Sequence, residues 1–149
     1  MKSPVNAIDI LLVEDNPGDV RLTEEALKES RLAVNLRTAG DGVEALAMLR
    51  REGEYAALPQ PGLILLDLNM PRMDGRELLR QIKSDDRLKH IPVVVLTTSA
   101  AERDIVQAYG LHANCYITKP VELEGFMKIV QSIESFWLTV VKLPDGLVK

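Results

Sequence analysis

The 149-residue chain has one cysteine, Cys115, and few aromatics: three tyrosines, two phenylalanines and one tryptophan. A lone cysteine excludes an intramolecular disulfide and fits a reducing cytoplasm, the expected compartment. Positive charge is also short. Eighteen Lys and Arg face 22 Asp and Glu, for a net charge of −4 and a pI near 5.2. That balance argues against a nucleic-acid-binding face. No apolar run approaches the roughly 20 residues of a membrane span, so no membrane partner is expected. Residues 1–8 lack the apolar stretch of a signal peptide. His90 and His112 have no partner at ligand spacing, which excludes the usual histidine metal motifs. What remains is 46% hydrophobic and 27% charged, an ordinary globular balance, in a chain long enough for one domain with a core.

Short runs rich in Val, Ile and Leu alternate with helical patterns from end to end. The runs predict strands at 9–13, 34–38, 63–66, 93–96 and 115–118. Asn16-Pro17-Gly18-Asp19 reads as turn chemistry before a helix reaching about residue 30, with Val20, Thr23 and Leu27 facing inward. Asp41-Gly42 precedes a helix expected to carry Val43, Leu46 and Ala47 on one face. A longer loop, 51–62, is stiffened by Pro59 and Pro61. A third helix runs through Leu78, Leu79 and Ile82; a fourth is expected near 102–109. The last carries Leu123, Phe126, Ile129, Val130 and Ile133. Strand–helix units in this number predict an α/β fold: a doubly wound, five-stranded parallel sheet with helices on both faces, in the flavodoxin-like order 2-1-3-4-5. The expected domain spans 1–136, followed by a tail at 137–149.

Four of the runs end in polar residues. The first ends in Glu14-Asp15, the third in Asp67, the fourth in Thr97 and the fifth in Lys119-Pro120. Ligands of open α/β sheets bind beyond the carboxyl ends of the strands, at the point where strand order reverses. In the order 2-1-3-4-5, strands one and three are neighbours, so Asp15 and Asp67 should sit side by side there. Three acids packed together call for a hard divalent cation such as Mg²⁺, which prefers octahedral oxygen coordination. Asp15 and Asp67 can ligate directly, Glu14 through water, and Asn69 through its backbone carbonyl. Asp67 is also a candidate nucleophile towards phosphorus, forming an acyl phosphate. The phosphoryl oxygens would then be met by the Lys119 ammonium, the Thr97 hydroxyl and backbone N–H groups.

These motifs resemble the receiver domain of two-component response regulators. The likeness rests on Leu12-Val13-Glu14-Asp15-Asn16, on Leu65-Leu66-Asp67-Leu68-Asn69-Met70-Pro71 with Asp74-Gly75, on Val95-Leu96-Thr97-Thr98, and on Tyr116-Ile117-Thr118-Lys119-Pro120. The resemblance implies phosphorylation of Asp67 by a sensor histidine kinase and Mg²⁺ at Glu14, Asp15 and Asp67. It gives Thr97 and Lys119 the reading of the phosphoryl group, and Tyr116 the place of an aromatic switch. Within the family, Glu14 to Asp19, Ser84 to Lys89 and the tail from Phe136 to Pro144 are most similar to cyanobacterial phytochrome-associated single-domain regulators. That likeness implies a phytochrome kinase as donor. The apolar tail, with Phe136, Trp137 and Leu138, could fold back on its own domain or join two copies; the narrower resemblance favours a homodimer. Output is expected through protein contacts, without turnover of a separate substrate. Two other readings stand beside this one: a pseudo-receiver that binds partners without phosphorylation, and a Mg²⁺-dependent phosphatase with Asp67 as nucleophile.

Overall fold

The computed structural model describes residues 8–28, 34–68, 73, 75–97 and 115–118. Its strands are β1 (Ile8–Val13), β2 (Val34–Ala39), β3 (Leu63–Asp67), β4 (Val93–Thr97) and β5 (Cys115–Thr118). Its helices are α1 (Pro17–Lys28), α2 (Gly42–Leu49) and α3 (Gly75–Ser84), with a 3₁₀ turn at Gly53–Tyr55. The helices expected near 102–109 and after 121, and the tail, lie outside the described residues.

The strands form one parallel sheet in the order β2-β1-β3-β4-β5, as expected. Register brings Leu12 opposite both Thr38 and Leu65, and Asp67 opposite Leu96. Alternation sorts the apolar residues into two layers. Leu11, Val13, Ile64, Leu66, Val93 and Val95 pack with α2 and α3, against Leu46, Leu49, Leu78, Leu79 and Ile82. Ile10, Leu12, Leu63, Leu65, Val94 and Leu96 pack on the other side with Leu27 of α1. Every residue of β3 is buried, which is why its apolar run is unbroken.

Asn16 caps α1: its side-chain oxygen accepts the Asp19 N–H at 3.0 Å, and Pro17 takes the first helical position. The segment read as a turn is therefore the start of the helix itself. Thr23 can sit in the inward stripe because its hydroxyl donates to the Asp19 carbonyl at 2.9 Å. The inward face of α2 differs from expectation. Val43 is 44% exposed and Ala47 half-buried, while Gly42, Ala45, Leu46 and Leu49 face the core with Met48. These four follow the 0, 3, 4, 7 spacing of one helical face. The phase is set by Gly42, which must sit against Met73.

Helix α2 ends in a Schellman motif: the N–H of Glu52 donates to Ala47 O at 3.0 Å and that of Arg51 to Met48 O at 3.1 Å. Arg51 occupies the left-handed position, φ 55°, where glycine is usual. The loop that follows is part of the core wall, since Tyr55 and Leu58 pack against the α2/α3 layer.

Asp85, after α3, joins the far ends of two helices. It accepts from Arg50 Nε at 3.3 Å and from Arg87 N at 2.9 Å and Nε at 3.3 Å. Hydrogen bonds from Arg87, side chain first and then backbone, hold its carboxyl below the ordinary 3.8. A depressed carboxyl pKa contributes stability above the ordinary value and loses it as pH falls through the folded one. Asp85→Asn should therefore destabilise the protein at neutral pH. Its difference from wild type should shrink as pH drops below 3.8, as read by urea unfolding at a series of pH values.

Candidate functional site

The C-terminal ends of β1 and β3 meet at the centre of the sheet. The Glu14 N–H donates to Ala39 O at 2.9 Å, continuing the β1–β2 ladder one residue past β1. Glu14 is 3% exposed, and its carboxylate accepts the Asn16 N–H at 3.2 Å. Asp15, next along, is exposed. Asp67 closes β3 and is 2% exposed. Carboxylate oxygens of Glu14, Asp15 and Asp67 all lie within 4.8 Å of one another. Two of these acids are withdrawn from water beside a third. Buried carboxylates are tolerated when paired, hydrogen-bonded or set around a metal. An all-oxygen set carrying this much negative charge, open to solvent at Asp15, fits a hard divalent cation.

Backbone packing explains how Asp67 is held. The Gly75 N–H donates to Leu68 O at 3.0 Å. A Cβ at position 75 would stand 2.4 Å from Asp67 O and 2.5 Å from Leu68 Cα, so α3 starts directly against the strand end that carries the acid. On the neighbouring side, the Gly42 N–H donates to Met73 O at 3.1 Å, and a Cβ there would be 2.4 Å from that oxygen. Both glycines are required by close approach.

Thr97 ends β4 at the same edge of the sheet, one residue past the Asp67–Leu96 register pair and opposite Thr118. Tyr116 lies in β5 opposite Val95. The structure thus brings Glu14, Asp15 and Asp67 together and sets the Thr97 strand position beside them. Asn69, Lys119, Phe136, Trp137 and Leu138 lie outside the described residues. Sequence reading overlooked Glu44, whose carboxylate reaches back to the Gly40 N–H at 3.0 Å while Asp41 accepts the Glu44 N–H at 2.8 Å. The spacing Asp41-x-x-Glu44 is a capping-box signature and could have revealed it.

With a parallel sheet in this order and an acid cluster at its switch point, the class of protein is defined. The chain belongs to the response regulator receiver domain family, whose model matches residues 10–131. Response regulator Rcp1 of Synechocystis sp. is 54% identical over 135 residues, covering 91% of this chain and 92% of that protein. The structure of the phosphorylated cyanobacterial phytochrome response regulator RcpA superposes with a TM-score of 0.79 at 56% identity, over 89% of this chain and 95% of that one. The Mn²⁺-bound form of Rcp1 gives a TM-score of 0.78 at 53% identity, over 89% and 96%. This protein is thus a two-component receiver related to the phytochrome response regulators. Among the described residues, no helix is long and apolar enough to cross a membrane.

Proposed function

We propose that this receiver is a phosphorylation-driven switch with Asp67 as acceptor. The observation that carries the reading is the position of Asp67: last residue of a fully buried strand, with Glu14 and Asp15 oxygens within 4.8 Å. A carboxylate oxygen of Asp67 attacks the phosphorus of a phosphohistidine on a sensor histidine kinase. The new O–P bond forms as the P–N bond breaks, and the imidazole leaves with the electron pair. Mg²⁺ would be held by Asp15, Asp67 and the Asn69 carbonyl, with Glu14 acting through water, and would supply Lewis-acid neutralisation of phosphoryl charge. Lys119 adds a cation and Thr97 a hydroxyl donor to the same oxygens.

Phosphorylation adds about −1.5 to −2 charge at the edge where β4 and β5 end. Thr97 and Tyr116 belong to those strands, and we assign them the switch. Identity to phytochrome response regulators supports a phytochrome kinase as donor. Residues 1–136 form the receiver, and its last residue, Phe136, with Trp137 and Leu138 of the tail at 137–149, joins two copies in the cytoplasm. The protein is a signalling acceptor whose self-catalysed chemistry is limited to gaining and losing this group. Incubation with phosphoramidate and Mg²⁺, followed by intact mass, tests the reading. Wild type should gain one phosphoryl mass, and Asp67→Asn or a chelated sample none. An unmodified wild type, or equal gain in Asp67→Asn, would overturn it.

A further inference from the structure

The loop at 51–62 is tied through Tyr55 to Glu44, which binds the turn after β2. Glu44, in the first turn of α2, uses both carboxylate oxygens. Oε1 accepts the Gly40 N–H at 3.0 Å, and Oε2 accepts the Tyr55 hydroxyl at 3.4 Å. Gly40 follows Ala39, whose carbonyl accepts the Glu14 N–H at 2.9 Å. Two residues before Glu44, Gly42 holds Met73 O at 3.1 Å, and Gly75, two residues past Met73, abuts the Asp67 carbonyl. Glu44 therefore joins the Tyr55 loop to the Ala39–Gly40 peptide that the Glu14 N–H binds.

We propose that Glu44, braced by Tyr55, is a positioning residue for divalent-cation binding: it holds the Ala39–Gly40 peptide on which the placement of Glu14 depends. The inference rests on the proposed role of the cluster as a cation site. Tyr55 is suited to bracing, because its ring packs on the core while its hydroxyl faces Glu44. Burial and the carboxylates of Glu44 and Glu54 raise its pKa above the ordinary 10.0, so it remains a donor. Partners one step removed from a metal typically change affinity by about 10- to 100-fold when lost. Glu44 acts through the backbone, so the low end applies.

The test is calorimetric titration of the full chain with Mn²⁺ alone, with Tm recorded for each variant. Glu44→Ala loses both contacts and should weaken binding about tenfold. Glu44→Gln keeps an oxygen for Gly40 and turns an amide N–H to the Tyr55 oxygen, so it should bind within about twofold of wild type. Tyr55→Phe keeps the packing and should weaken binding roughly threefold, a smaller loss because one of the two Glu44 contacts remains. A merely structural role would lower the Tm of Glu44→Ala and leave Kd unchanged, and that result overturns the proposal. So does equal weakening in Glu44→Gln and Glu44→Ala, which would mark a charge effect. If Glu44→Ala does not fold, Tyr55→Phe decides: wild-type affinity there overturns the inference and weakened affinity supports it. Wild type that fails to bind Mn²⁺ would take down the cation-site reading together with this one, whereas tight binding by wild type and all variants would sink this inference alone.

Discussion

Gly75→Ala should cost about 2 kcal/mol of stability and weaken cation binding at the acid cluster, although alanine is the better helix former. Helix propensity favours the substitution by less than about 1 kcal/mol, the value of a helix interior, because Gly75 is the first residue of α3. Sterics oppose it more strongly. The new methyl would lie 2.4 Å from Asp67 O and 2.5 Å from Leu68 Cα, both backbone atoms of a segment buried in the sheet centre. No side-chain rotation relieves that contact. Either α3 moves off the sheet or the end of β3 shifts, and β3 ends in the proposed acceptor. Gly18→Ala is the control. There the nearest atom is the Asn16 side-chain oxygen at 3.1 Å, which caps α1 and needs to give by only a few tenths of an ångström, so the loss should stay below about 1 kcal/mol. Urea unfolding of both variants, with Mn²⁺ titration of the folded protein, checks the pair. Wild-type stability and affinity in Gly75→Ala would contradict the packing account.

Leu79→Ala should cost roughly 3 kcal/mol, or on the order of 10 °C in Tm. Leu79 is fully buried in the layer that α3 shares with α2 and the sheet. Truncation removes its transfer free energy and leaves a cavity that Leu78, Ile82 and Leu66 cannot fill without moving backbone. Against a total stability of about 5–15 kcal/mol, that loss is large. Val43→Ala, at the 44% exposed position on α2, should change stability by less than about 0.5 kcal/mol. Thermal melts of the two variants give the comparison. A loss of about 2 kcal/mol or more in Val43→Ala would mean that the inward face of α2 has been assigned with the wrong phase.

That phase is where the sequence was least legible. Strands β3 and β4 could be read because burial on both faces demands an unbroken apolar run, and the polar residue that ends each run marks the strand end. The acid cluster followed from strand order alone. For α2, Val43, Leu46 and Ala47 form a plausible stripe, and only the contact of Gly42 with Met73, remote in sequence, rotates the helix away from it. Asn16-Pro17 carried turn and cap signals at once, and the choice between them depends on the Asp19 N–H. Glu14 and Asp15 are adjacent acids with no sequence difference to foretell that one is buried and the other exposed. Glu14 still lies within the β1–β2 ladder and is buried, whereas Asp15 lies beyond it and is exposed.

The most direct test of the central claim locates the phosphoryl group. Wild type treated with phosphoramidate and Mg²⁺ is quenched with borohydride, which reduces an aspartyl phosphate to homoserine, and mapped by peptide mass spectrometry. Homoserine at position 67 and at no other acid is the expected result. Homoserine at position 15, or none anywhere in protein that binds the cation, would contradict the account.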